Sequence, residues 1–304
     1  LANVWVNSGD KITATATVWP GAGSTYGSTS EFAANITATS TGIIVVDTTS
    51  NTADGTTTSI TNLGNNRGAD GRISLREAIT AANNTANGGT PDKIVFAIYG
   101  SGVQTINLAS ALPTITGALI LDGTTQTGYV GAPLIELKGT SAGAGANGFH
   151  ITSGGSTVKG FVIDAFSGYA IYLQTGGNNT IEGNYIGTNT AGTAASANAW
   201  GIVLSNSSNN TIGGTNAASG NVISGNTNDA INSGGTSSSN LILGNYIGTN
   251  ATGTAAIANA GYGIGLGDAG SNIIGGTAAG SRNIISGNTS GGIGISAGAS
   301  NQIL

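Results

Sequence analysis

GNYIGTN occupies residues 183–189 and returns at residues 244–250, 61 positions further on. Related text follows both copies: TAGTAASANAWGIVLSNSSNNTIGGTNAASGNVISGN after the first, ATGTAAIANAGYGIGLGDAGSNIIGGTAAGSRNIISGN after the second. Self-similarity at a fixed period is the signature of a repeat architecture. A shorter period lies inside the long one. GIVL at 201–204 recurs as GIGL at 263–266, with relatives at Ala170-Ile171, Ala230-Ile231 and Gly292-Ile293. Each precedes an asparagine in turn: Asn179, Asn210, Asn240, Asn272 and Asn301. Upstream, Phe149 to Ala170 and Lys138 to Lys159 suggest a tighter coil of 21 residues.

Short runs of alternating Ile, Val and Leu bounded by Gly, Asn and Ser are strands and turns. Helical periodicity is missing from the repeats, and their glycine density disfavours helices by about 1 kcal/mol per residue relative to alanine. Short strands at this spacing predict an all-β chain wound as a parallel β-helix. Coils stack at about 4.8 Å, so roughly nine would make a rod on the order of 40 Å long. One coil cannot bury its apolar row alone, and neighbours must close it above and below. Asparagines at fixed places can hold left-handed backbone and pass their amides to the next coil. Asn184 and Asn245 of the GNYIG copies, and Asn226 and Asn288 of the SGN steps, are such repeat positions. Tyr185 and Tyr246 are equivalent positions two coils apart. They read as a spaced aromatic pair that packs, rather than as a binding platform.

Two regions depart from the repeat. Ser74-Leu75-Arg76-Glu77 is a capping box, with Ser74 and Glu77 set to satisfy each other's amides. The short helix it starts, over about 74–83, is placed to cover the open first coil. Residues 11–18 (KITATATV) and 31–39 (EFAANITAT) alternate as half-buried strands. Residues 1–42 therefore read as part of a β-sandwich, completed by upstream sequence or a neighbouring subunit. Residues 43–304 read as a capped β-helix cut short at its C-terminal end.

Charged residues are only 7% of the 304, with 8 basic side chains and a net charge of −5. That argues against nucleic acid, which requires a cationic stripe. No apolar run approaches a membrane span. Cysteine is absent, so thiol chemistry and disulfides are excluded. Methionine is also absent, which suits exposure to oxidants outside the cell.

RISLREAITAANN at 72–84 resembles the bacterial domain named for its Cys-Ser-Leu-Arg-Glu-Ala motif. That domain caps large, exported, right-handed parallel β-helices, and NTIGGT, NVISGN and IGTNATGTAAIAN look like the repeats of the same surface proteins. The resemblance implies an extracellular or cell-surface location and a structural or adhesive role. Ile73 stands where the motif has cysteine, so any family disulfide is gone. Asn189 and Asn250 stand where the family has Asp after IGT, which weakens an acidic metal ladder.

Candidate chemistry is sparse. From residue 165 on, the ionisable acids and bases are Glu182, Asp229, Asp268 and Arg282. A denser patch comprises Asp122, Glu136, Lys138, Lys159 and Asp164. Asp122 and Asp164, twice 21 residues apart, would share one face at about 10 Å, marginal for a glycosidase pair. They are read as turn and surface charge instead. His150, the sole histidine, has no Cys or Asp beside it and builds no metal site. Asp54 and Asp70, each before glycine, are weak candidates for Ca²⁺ and suit Asp-Gly turns better. The chain is thus expected to be a non-catalytic extracellular module of a fibre-forming protein. Its expected partners are copies of itself, neighbouring repeats or surface glycans. The alternative is a polysaccharide-active β-helix enzyme, a lyase or glycosidase, or a carbohydrate-binding surface protein.

Overall fold

The computed structural model describes residues 11–12, 36–37, 42–216, 218–267 and 270–304. Three parallel sheets, of nine, seven and six strands, are each assembled from strands far apart in sequence. The chain visits the three in rotation, so the molecule is a parallel β-helix with three faces. Each face contributes a principal inward column. On the six-stranded sheet it runs Phe149, Ile171, Ile202, Ile231, Ile264 and Ile293, in register throughout. On the seven-stranded sheet it runs from Ile106 through Leu137, Ile163, Ile186, Ile223 and Ile247 to Ile285. On the nine-stranded sheet it runs from Ile44 through Ile94, Leu121, Val158, Ile181, Ile212, Ile242 and Ile274 to Ile303. Ile171, Ile202, Ile231 and Ile264 are fully buried. Burial on this scale contributes about 1.5–3 kcal/mol per side chain.

Polar ladders run beside the apolar columns. Asn179, Asn210, Asn240, Asn272 and Asn301 form one, with separations of 31, 30, 32 and 29 residues. In each step one Oδ1 accepts both the backbone and side-chain N–H of the preceding rung, as Asn210 does from Asn179 at 3.0 and 2.9 Å. Asn184, Asn221, Asn245 and Asn283 form a second ladder. Asn198, Asn226, Asn259 and Asn288 form a third. Asn184 and Asn245 are therefore alternate rungs of one ladder, and Asn226 and Asn288 alternate rungs of another.

The coil is longer and less uniform than 21 residues. Its tightest turn is 22 residues, from Phe149 to Ile171. Lys138 faces Asp164 across the seven-stranded sheet, whereas Lys159 lies on the nine-stranded one beside Asp122. Lys138 and Lys159 therefore lie on different faces and do not mark one turn.

Between the first strand, Ile43–Val46, and the second, Asp92–Phe96, the chain makes two helices, α1 (Ile60–Asn65) and α2 (Leu75–Asn83). Leu75, Ala78, Ile79, Ala81 and Ala82 of α2, with Ile60 and Leu63 of α1, join the core cluster that contains Ile44 and Ile94. The helices thus cover the open first coil. Ile73 is fully buried there. The sandwich expected over residues 1–42 lies outside the described residues, apart from antiparallel pairing of Lys11–Ile12 with Ile36–Thr37.

Candidate functional site

The outer surface of the six-stranded sheet concentrates the aromatic side chains. Inward positions alternate with outward ones, so the residues between the column isoleucines face solvent. One outward column reads His150, Tyr172, Val203, Asn232, Gly265 and Gly294. A second begins with Tyr169 and Trp200 as direct neighbours. His150 stacks on Tyr172 with ring centroids 4.9 Å apart and planes 21° from parallel. Tyr169 leans on Tyr172 at 4.8 Å, and Trp200 meets Tyr169 edge-on at 6.4 Å. All four rings are half-buried.

His150 is held from both sides. Its Nε2 lies 2.9 Å from Oε1 of Gln174 and its Nδ1 3.1 Å from the Thr114 hydroxyl. An amide oxygen only accepts, so Nε2 carries the proton and Nδ1 accepts from Thr114. The ring is therefore a fixed member of the stack.

Further along the same face the rings give way to a groove of about 250 Å³, lined by Asp229, Asn232, Tyr262, Gly265 and Gly294 among others. Asp229 Oδ1 accepts from the Tyr262 amide at 2.7 Å, and Oδ2 from Asn232 Nδ2 at 2.8 Å. Tyr262 is 40% exposed. Its ring lies over Gly294, where an added Cβ would approach ring atoms to 3.0 Å, so glycine there keeps the ring flat on the sheet. Asp229 is the one ionisable carboxylate lining this groove among the described residues.

The carboxylates singled out from sequence are not brought together. Asp122 ends a strand of the nine-stranded sheet and Asp164 one of the seven-stranded sheet, so they do not share a face. Each is tied to lysine. Asp122 Oδ2 meets Lys93 Nζ at 2.8 Å and Lys159 Nζ at 3.3 Å, and Oδ1 accepts from Thr124 at 2.5 Å. Burial alone would push the Asp122 carboxyl up, but hydrogen bonds from Lys93 and Thr124 and the two lysine charges hold it below its ordinary value. Asp164 is fully buried and meets Lys138 Nζ at 3.2 Å, with the Ser196 hydroxyl donating at 2.5 Å. Here burial wins and the Asp164 carboxyl is raised, Ser196 and Lys138 opposing it and Glu136 adding to it. Glu136 bridges Lys138 at 3.0 Å and accepts from Thr105. Burial would lower Lys138, yet Glu136 and Asp164 together raise it, so the ammonium stays charged.

Asp54 and Asp70 are used by the cap loop. Asp54 Oδ2 accepts the Ala69 amide at 2.8 Å, and Asp70 Oδ1 accepts the Arg72 amide at 2.8 Å. Among the described residues no group of three or more His, Cys, Asp or Glu gathers to hold a metal. Ser74 and Glu77 form the reciprocal capping box, and Glu77 Oε1 also takes the amides of Asp54 and Gly55 at 2.9 and 2.7 Å. Tyr185 and Tyr246 do not pack as a pair, since Val222 lies between them in the sheet. Each ring instead meets a loop of its own coil, at Gly192 and Gly253 respectively.

The aromatic face escaped sequence reading because its members come from separate coils. The available signal was the placement of Tyr169, Trp200 and Tyr262 two residues ahead of column isoleucines Ile171, Ile202 and Ile264, with Asp229 in that place before Ile231.

No family model matches the chain, and no curated protein matches it. Among solved structures it is similar to a mutant of the periplasmic alginate epimerase AlgG. Identity is 14%, with 70% of this chain and 71% of that one covered, at a TM-score of 0.30. Likeness at that level transfers no chemistry. No helix among the described residues is long and apolar enough to cross a membrane.

Proposed function

We propose that this protein is a non-catalytic, glycan-binding module of an exported surface protein, with the outer face of the six-stranded sheet as its recognition strip. The observation that carries the reading is the grouping of His150, Tyr169, Tyr172, Trp200 and Tyr262 on that one face, beside the Asp229–Asn232 groove. Aromatic rings offer apolar surface to the C–H faces of pyranose rings, while amide and carboxylate groups take the hydroxyls. A groove with one carboxylate and no cation favours neutral saccharides over acidic ones. Hydrolysis by paired carboxylates needs two acids flanking one bond, and Asp122 and Asp164 serve lysines on different sheets.

The reading is tested by electrophoresis through gels carrying soluble neutral polysaccharides (a β-glucan, a mannan, a xylan), with reducing ends assayed in parallel. Retardation by at least one polymer is expected, without new reducing ends. Combining Trp200→Ala with Tyr262→Ala should weaken binding about tenfold, equivalent to roughly 1.4 kcal/mol. Unretarded migration on every gel, or retardation that survives the double substitution, contradicts the proposal. Release of reducing ends contradicts its non-catalytic part.

A further inference from the structure

The two-coil period also shapes the corner between the nine- and seven-stranded sheets. Residues 214–221 separate strand Thr211–Gly213 from Val222–Ile223, and residues 275–283 separate Ile273–Ile274 from Ile284–Ile285. The coil between them turns this corner on Gly244 and Asn245 alone, from Leu241–Leu243 to Tyr246–Ile247. The two longer turns close in over the short one. A Cβ at Gly244 would lie 2.2 Å from the Gly214 carbonyl oxygen and 2.7 Å from that of Gly280. What remains between them is a groove of about 350 Å³, lined by Thr215, Asn216, Tyr246, Arg282 and Ile284 with the glycines.

Two of these side chains are placed for recognition. Gly253, at φ +70°, sits against the Tyr246 ring, where an added Cβ would come within 2.8 Å of Cε1. The ring is thereby fixed along one side and lines the groove along the other. Arg282 is exposed and is the only basic residue after position 159. It makes no ion pair with a described carboxylate. The cations that do form ion pairs with described carboxylates, Arg72, Lys93, Lys138 and Lys159, all lie before residue 160. A guanidinium and an aromatic ring lining one groove together with Thr215 and Asn216 match one ligand chemistry. The guanidinium fork takes a carboxylate by two parallel hydrogen bonds. Tyrosine covers an apolar sugar face, and the hydroxyl and amide meet ring hydroxyls.

We infer that this groove binds an acidic saccharide, holding a uronic acid residue through its carboxylate on Arg282. It is a second site on a different face, and it stands or falls independently of the neutral-glycan strip.

The test is calorimetric titration of the full chain with trigalacturonate at low salt, with the fully methyl-esterified trimer as the uncharged control. Trigalacturonate should bind, more weakly as salt rises, because an exposed ion pair is screened within about 10 Å at 0.1 M. The ester should bind at least tenfold more weakly. Arg282→Gln should lose at least tenfold for the acid without changing the thermal midpoint, since the side chain is exposed. The Trp200→Ala/Tyr262→Ala variant should bind trigalacturonate as the unmodified chain does. Absence of binding at millimolar trigalacturonate, equal binding of acid and ester, or unchanged binding in Arg282→Gln would each overturn the inference.

Discussion

Asparagine does in this fold what no other side chain of its size can. Its oxygen accepts two N–H groups from the coil before, its backbone N–H donates to the coil after, and its side-chain amide can donate to both coils. Asn221 shows the full set: Oδ1 accepts Asn184 N and Nδ2 at 3.0 and 3.1 Å, while Nδ2 donates to Ile181 O at 2.8 Å and Asn245 Oδ1 at 2.9 Å. Asn221→Ala should therefore cost about 2–4 kcal/mol, because buried partners are left unsatisfied at roughly 1–3 kcal/mol each. Guanidinium unfolding measures it, and a loss below about 0.5 kcal/mol would mean the ladder is dispensable. Asp164 and Asp122 give opposite pH signatures. A carboxyl raised by folding binds its proton more tightly in the folded state, so its share of stability grows as pH falls toward and below its folded value. Asp164 behaves so; Asp122, lowered by folding, loses its share as pH falls through its folded value. Relative to Asp164→Asn, the unmodified chain should gain stability between neutral and mildly acidic pH, and relative to Asp122→Asn it should lose stability on further acidification. Denaturant midpoints across pH check both signs. One ladder was legible as evenly spaced asparagines. The other two were only half visible, because Asn221, Asn283, Asn198 and Asn259 sit in turns of differing length.

At the scale of elements, α2 was readable because Ser74 and Glu77 stand three apart ahead of an apolar face. The structure adds why that pair matters. Glu77 is buried, and its two oxygens take the amides of Asp54, Gly55 and Ser74 and face the Ser74 hydroxyl. One carboxylate thus caps a helix and closes the loop before it. Glu77→Ala should destabilise the chain by about 3 kcal/mol, since hydrogen bonds to a charged group contribute about 1.5–3 kcal/mol. Hydrogen exchange should speed up first in α2 and in strand Ile43–Val46 beneath it; uniform exchange along the rod would show that the cap is not a separate local unit. α1 was not legible. Six residues containing Gly64 and two asparagines carry little helical signal, and Ser59 at its N-cap, with Ile60 and Leu63 on the core, supplies what propensity does not. The acidic pair was misplaced for a related reason. A fixed coil length puts Asp122 and Asp164 on one face, whereas the real coils vary with their inserts and separate them onto two sheets.

For the whole molecule, three faces follow from three columns, and each face has its own character. The nine- and seven-stranded sheets carry the lysine–carboxylate networks in the first half of the rod, the six-stranded sheet carries the aromatic strip, and the corner beside Tyr246 carries Arg282. A net charge of −5 with so few cations makes the neutral strip and the Arg282 groove separable by salt. Binding of neutral polymer should be nearly unchanged between 50 and 500 mM salt, and a steep decline would place its ligand on the charged groups instead. All of this depends on coils stacking in register, so that residues about 30 apart become neighbours. The chain contains no cysteine, which makes engineered pairs unambiguous. Val203 and Asn232 are Cα partners on the outer face of adjacent coils, whereas Tyr172 and Asn232 are separated by the coil between. A disulfide needs Cα atoms roughly 4.4–6.8 Å apart, close to one coil rise and well short of two. Mild oxidation followed by non-reducing mass mapping should cross-link Val203→Cys with Asn232→Cys and leave Tyr172→Cys with Asn232→Cys as free thiols; the reverse pattern would contradict the stacking on which both binding surfaces rest.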